Sequence, residues 1–165
     1  MNPNQKVQKL FQEAREELSD KMGGIENTMN NFKSKYESVL GKVDDLFRSK
    51  CKSQIDWLES NTVQTPQGPQ LKDKSKEKEM TKVLDEFSNC ITTNDVGSQK
   101  LFMDFDSGMH EISNKYQQWS NKCTTMKDDS EIKNCFKNML MNNLTDMEKF
   151  YSDYSTKFED LNRKL

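Results

Sequence analysis

The apolar residues of this chain recur every seven positions, and that period leaves little choice of fold. Phe11, Leu18, Ile25, Phe32, Val39 and Leu46 are each seven apart, and Met22, Met29, Tyr36 and Val43 stand three residues before members of that series. Alternating steps of three and four draw a single stripe along an α-helix. The pattern returns as Phe102, Met109, Tyr116 and Cys123 beside Phe105, Ile112, Trp119 and Met126. It returns again in Phe136, Leu140, Leu144, Met147, Tyr151, Tyr154, Phe158, Leu161 and Leu165, and a shorter stripe carries Met80, Val83, Leu84, Phe87, Cys90 and Ile91. Strand-type alternation is nowhere sustained. The spacing predicts an all-α fold, an elongated up-and-down helical bundle of four to five heptad-patterned helices.

Local signals divide the stripes. Asn2 followed by Pro3 opens a helix well, because Pro at the first helical position loses no hydrogen bond. Thr65-Pro66-Gln67-Gly68-Pro69 is the clearest loop, Thr92-Thr93-Asn94-Asp95 with Gly97 supplies a turn, and Asp128 with Glu131 suggests a capping box. The expected helices are about 3–22, 25–60, 74–92, 98–127 and 129–165, with a loop over 61–73, in a single domain over 1–165. Gly23-Gly24 sets the first boundary, since two glycines inside a helix cost about 2 kcal/mol relative to Ala. A kink or break is expected there, although the heptad register crosses it without a slip. A straight helix from residue 3 would run some ~30 Å past the later ones, with an apolar stripe needing another partner.

The core must be thin. Only 32% of the residues are apolar, as many are charged, and mean hydropathy is −1.02. With a net charge of −2 and both signs interspersed, no basic field exists to condense on nucleic acid or anionic lipid. No stretch approaches the ~18 apolar residues of a membrane span, and no signal peptide is visible at the polar start.

Four cysteines bear on how so thin a core holds. Cys51, Cys90, Cys123 and Cys135 form an even set without CxxC or a neighbouring His, which argues against zinc or a thioredoxin-type centre. Cys123 and Cys135 flank one tight reversal, so an antiparallel hairpin brings them level. Cys51 lies near the end of the first long segment and Cys90 on the helix that returns after the Pro-Gly loop. The expected pairs are Cys51–Cys90 and Cys123–Cys135, contributing about 4 and about 3 kcal/mol as upper values in the loop-entropy model. The compartment is then oxidising, which predicts a secreted, extracellular protein.

Catalytic chemistry is not legible. The only histidine, His110, follows Met109 in the heptad and should face solvent; Met109-His110-Glu111 lacks the second His of a metalloprotease helix. Asp104, Asp106 and Gly108 do not match the ligand spacing of a calcium loop, and Asp44-Asp45 and Asp85-Glu86 are adjacent along helices, so their carboxylates diverge. The expectation is no enzyme, no metal and no cofactor. Asn143-Leu144-Thr145 is the one N-glycosylation sequon, with Asn143 expected to face outward. Ten Met and nine Phe suit an adaptable interior, which ordinary core filling explains and an apolar ligand would also use. Leu40, Phe47, Leu101, Met139 and Phe150 lie off the stripes and widen them. Trp57, Met103 and Met141 are the candidate contact residues.

Elimination leaves a secreted, non-enzymatic binding protein that engages another macromolecule through a helical face or the 61–75 loop. Two alternatives stand beside it: a carrier of a lipid or other small apolar ligand between the helices, and a structural coiled-coil oligomer. The expected partner is a protein or a small apolar ligand, with no nucleic acid, and the chain is a monomer or a dimer through its N-terminal helix.

Overall fold

A computed structural model describes residues 2–165. It is all-helical apart from one small hairpin. The elements are α1 (Pro3–Glu17), α2 (Ser19–Lys50), α3 (Lys52–Asn61), β1 (Thr62–Thr65), β2 (Gly68–Leu71), a 3-10 turn over Lys74–Lys76, α4 (Glu77–Asn94), α5 (Ser98–Thr124) and α6 (Asp129–Asn162).

Ion pairs and ring contacts give the directions of the helices. Lys6 pairs with Asp129, Glu17 with Lys137 and Lys35 with Glu159, so α1 and α2 run parallel to α6. Cys123 joins Cys135, Tyr116 reaches Asp146 and Phe105 meets Tyr154, so α5 runs antiparallel to α6. The body is therefore an up–down–up bundle: α1 and α2 rise, α5 descends, and α6 rises between them. Above the end of α6, α3 continues α2 upward, the β-hairpin turns the chain, and α4 returns to the level of Cys51. There Cys51–Cys90 closes the second disulfide. Both expected pairings are present, and the described residues include no free cysteine.

The first long segment breaks elsewhere than at its glycines. Helix continues through Gly23-Gly24, and the chain leaves helical geometry at Leu18 and again at Cys51. Leu18 is buried, whereas no side chain and no other element comes within 4 Å of a Cβ built on either glycine, apart from their chain neighbours. The break thus falls where packing anchors a side chain. The intrinsic cost of the glycines does not suffice to end a helix whose register continues on both sides. The stripe of α1 finds its partner within the chain, because Leu10 and Ala14 are buried against α6.

Caps account for the other boundaries. The Asn2 side chain accepts from the Asn4 N–H at 3.1 Å, the Asn2 N–H donates to the Gln5 side chain, and Pro3 stands at the first helical position. Asp128 caps α6 by accepting from the Ser130 and Glu131 N–H groups. Asp95 accepts from Ser98 ahead of α5, where Gly97 takes the left-handed conformation (φ +99°) that favours glycine. The expected loop over 61–73 contains the hairpin, with Thr62 opposite Leu71 and Thr65 opposite Gly68. Pro66 and Gln67 form its two-residue turn, and Gly68 again adopts positive φ (+105°).

Two cores lie along the body. The lower one gathers Leu10, Ala14, Tyr116, Cys123, Ile132, Phe136 and Met139. The upper one is aromatic. Phe32 and Tyr36 from α2, Phe102 and Phe105 from α5, and Phe150, Tyr151, Tyr154 and Phe158 from α6 interlock, with Phe32 stacked on Phe105 at 4.8 Å and Tyr36 edge-on to Phe102 at 5.2 Å. Such pairs contribute about 0.5–1.5 kcal/mol each beyond simple burial. Gly108 is part of this fit: a Cβ there would stand 2.5 Å from the Phe150 ring. Met29 and Met126, both on the expected stripes, are exposed. Met126 lies past the end of α5 in the turn, and Met29 lies in a stretch of α2 that buries nothing.

Candidate interaction surfaces

At the lower end, α5 and α6 are clasped by Cys123–Cys135, with Cys123 fully buried. Trp119 stands four residues before Cys123 and is half-buried, its ring stacked on Tyr116 at 6.0 Å and 12°. Beside it opens a depression of about 490 Å³ lined by Trp119, Met126, Glu131, Asn134, Cys135 and Asn138. Met126 is 39% exposed. Lys115, Gln118 and Lys122 extend the surface along α5 into a second depression that shares the Trp119 ring. On the opposite flank of α5, Val7, Phe11, Ser120, Thr124 and Phe136 line a third, apolar depression of about 370 Å³ between α1 and α5.

Polar networks fix this end. Tyr116 donates its hydroxyl to Asp146 at 2.5 Å, and Lys115 donates to the same oxygen at 2.6 Å. The Lys115 and Tyr116 hydrogen bonds hold the Asp146 carboxyl below its ordinary range, while burial and then Asp146 push the Tyr116 hydroxyl up. On the other side of α6, Glu17 accepts from Lys133 and Lys137, which lowers its pKa to about 2 and latches α1 in place. A carboxyl held below its unfolded value stabilises the fold above that value. The latch is therefore present at neutral pH and is lost as pH falls from 4.5 towards about 2. These groups neutralise one another as ion pairs and leave no carboxylate–base couple facing open space.

The remaining sequence candidates are scattered. Met103 is 69% exposed on the outer side of α5, alone among polar neighbours, and Met141 is exposed on α6. Trp57 is half-buried, with its indole N–H donated to Glu79 of α4 at 2.9 Å, so its polar tip is already partnered within the chain. Asn143 is half-buried rather than turned outward, because it stands seven residues after Phe136 and seven before Phe150 on the axis-facing side of α6. His110 is exposed. The structure does not bring Trp57, Met103 and Met141 together. The Trp119–Met126 surface was legible only as two stripe positions; that α5 ends before Met126 and leaves it exposed was not.

Among the described residues no group of three or more His, Cys, Asp or Glu is placed to hold a metal ion, and no helix is long and apolar enough to cross a membrane. No protein-family model, curated protein or solved structure matches the chain.

Proposed function

We propose that this chain is a secreted, non-enzymatic binding protein whose α5–α6 face at the lower end engages a macromolecular partner. The observation that carries the reading is the half-buried Trp119 ring at the edge of an open depression beside Met126 and Cys135. Aromatic residues fixed in preformed depressions are typical centres of binding energy, and here stacking on Tyr116 and the disulfide limit what ordering the ring costs on association. The two disulfides support an oxidising, extracellular setting. The carrier reading draws support from the apolar depression between α1 and α5, whose size falls in the range of small-ligand sites.

Photo-crosslinking tests the proposal. With benzoylphenylalanine in place of Asn138, irradiation in extracellular fluid of the source should give one discrete adduct with a macromolecule. Met126→Glu, in a protein with unchanged circular dichroism, should abolish that adduct. Adducts that are diffuse, or indifferent to Met126→Glu, overturn the reading. A stoichiometric apolar small molecule in native mass spectra, displaced by Phe11→Trp, replaces it with the carrier.

A further inference from the structure

Between its two cores the body has a waist. Over residues 19–31, nearly four turns, α2 has no fully buried side chain, and over 141–146 neither does α6. The ion pairs Glu17–Lys137 and Lys35–Glu159 fix the register, so Gly23 and Gly24 lie level with the stretch around Asn143. At that level the axis-facing position of α6 holds a half-buried amide between Phe136 and Phe150. Apart from chain neighbours, no side chain and no other element comes within 4 Å of a Cβ built on either glycine, and one turn below them the chain leaves helical geometry at Leu18. Leu18 itself belongs to neither core.

We propose that this waist is a hinge. Residues 19–31 of α2 open locally while both cores and the Tyr116–Asp146 tie between α5 and α6 remain in place, so α2 alone changes its tilt between Leu18 and Phe32. Three causes act at one level: α2 has no buried anchor, its two glycines weaken the helix, and α6 contributes a polar group where an apolar one would pin the three helices together. Local opening follows low buried apolar contact, and it costs least where helix propensity is also poorest. The cores on either side have the opposite character. Phe136 and Phe158, one in each, are almost inaccessible to solvent. Leu18 ends α1 as a buried wedge, so motion above it does not pull α1 from α6. The glycines that leave helix α2 unbroken thus act on how easily it opens.

Hydrogen exchange of the full, disulfide-intact chain tests this. Amides of residues 19–31 should exchange on the order of a hundredfold faster than those of 36–47 and 151–161, because they open without global unfolding. Gly23→Ala with Gly24→Ala should slow exchange in 19–31 by about 25-fold through helix propensity alone. Phe158→Ala, which weakens the upper core, should speed exchange in 36–47 and 151–161 and leave 19–31 unchanged, because a local opening does not depend on global stability. Equal protection of 19–31 and 36–47 in the unaltered protein overturns the hinge. So does a Phe158→Ala variant that speeds exchange in 19–31 as much as in 36–47, since those amides would then open only by global unfolding.

Discussion

The three-helix body and the two-helix tip are built from the same kind of amphipathic helix, yet they are held together differently. In the body eight aromatic rings interlock, and Phe158, Phe136 and Val39 are almost inaccessible. In the tip α3 buries no residue and α4 buries only Val83. The tip relies on Cys51–Cys90, on the β1–β2 hairpin and on polar ties: Arg48 to Glu59 at 2.8 Å, Lys76 to Asn61 at 2.7 Å and Trp57 to Glu79 at 2.9 Å. The difference traces to α6. It ends level with Ser38 and Lys42, which bond to Asn162, and beyond that point each apolar stripe has one neighbour instead of two. A third helix turns a stripe into a core; where it is missing, a covalent link does part of that work.

Phe158→Ala strikes this contrast hardest. The ring is fully buried and contacts Phe32, Tyr36, Phe102, Phe105 and Tyr154. Truncation should cost about 3–5 kcal/mol, a large share of the stability of a small domain. Urea unfolding followed by tyrosine and tryptophan fluorescence reads the loss directly. A change below about 1 kcal/mol would mean that the upper core collapses around the gap and is not the rigid element described.

Replacing Cys51 and Cys90 together by Ser should act on the tip and spare the body. The loop they close spans 39 residues, for which the chain-entropy model gives up to about 4 kcal/mol. The expected outcome is loss of exchange protection in α3 and α4, with the residues of the upper core still protected. If α2, α5 and α6 lose protection to the same degree, tip and body are one cooperative unit and the contrast fails.

How far the sequence revealed this division depends on which forces leave a period behind. The helices, the two pairings and the rings of α6 follow from heptad spacing and from the positions of four cysteines, because burial on a helix must repeat. Phe150 and Met139, off the stripe, are in the interior because a helix between two neighbours buries a wider face than one stripe. The breaks at Leu18 and Cys51 carry no breaker residue, since tertiary anchoring sets them. The hairpin leaves no strand signal in the sequence, because its strands have four residues each and one contains Pro69, which only an edge tolerates. The lower-end surface depends on where α5 stops, a boundary set by the Cys123–Cys135 clasp and the Asp128 cap rather than by any stripe.

Trp57→Phe gives the smallest effect and separates two meanings of an aromatic residue. As a contact residue, Trp57 would be dispensable for folding. As a tie, its N–H bond to the Glu79 carboxylate should contribute about 1 kcal/mol at this partly exposed site, near fivefold in local opening. Exchange in α3 and the start of α4 should quicken by that factor in Trp57→Phe and equally in Glu79→Ala. The double variant should add little, since both changes remove the same bond. Exchange around Val39 and Phe158 should not move. Additive effects, or none in the tip, would return Trp57 to the surface as a residue kept for a partner, and the tip would then owe its order to the disulfide and hairpin alone.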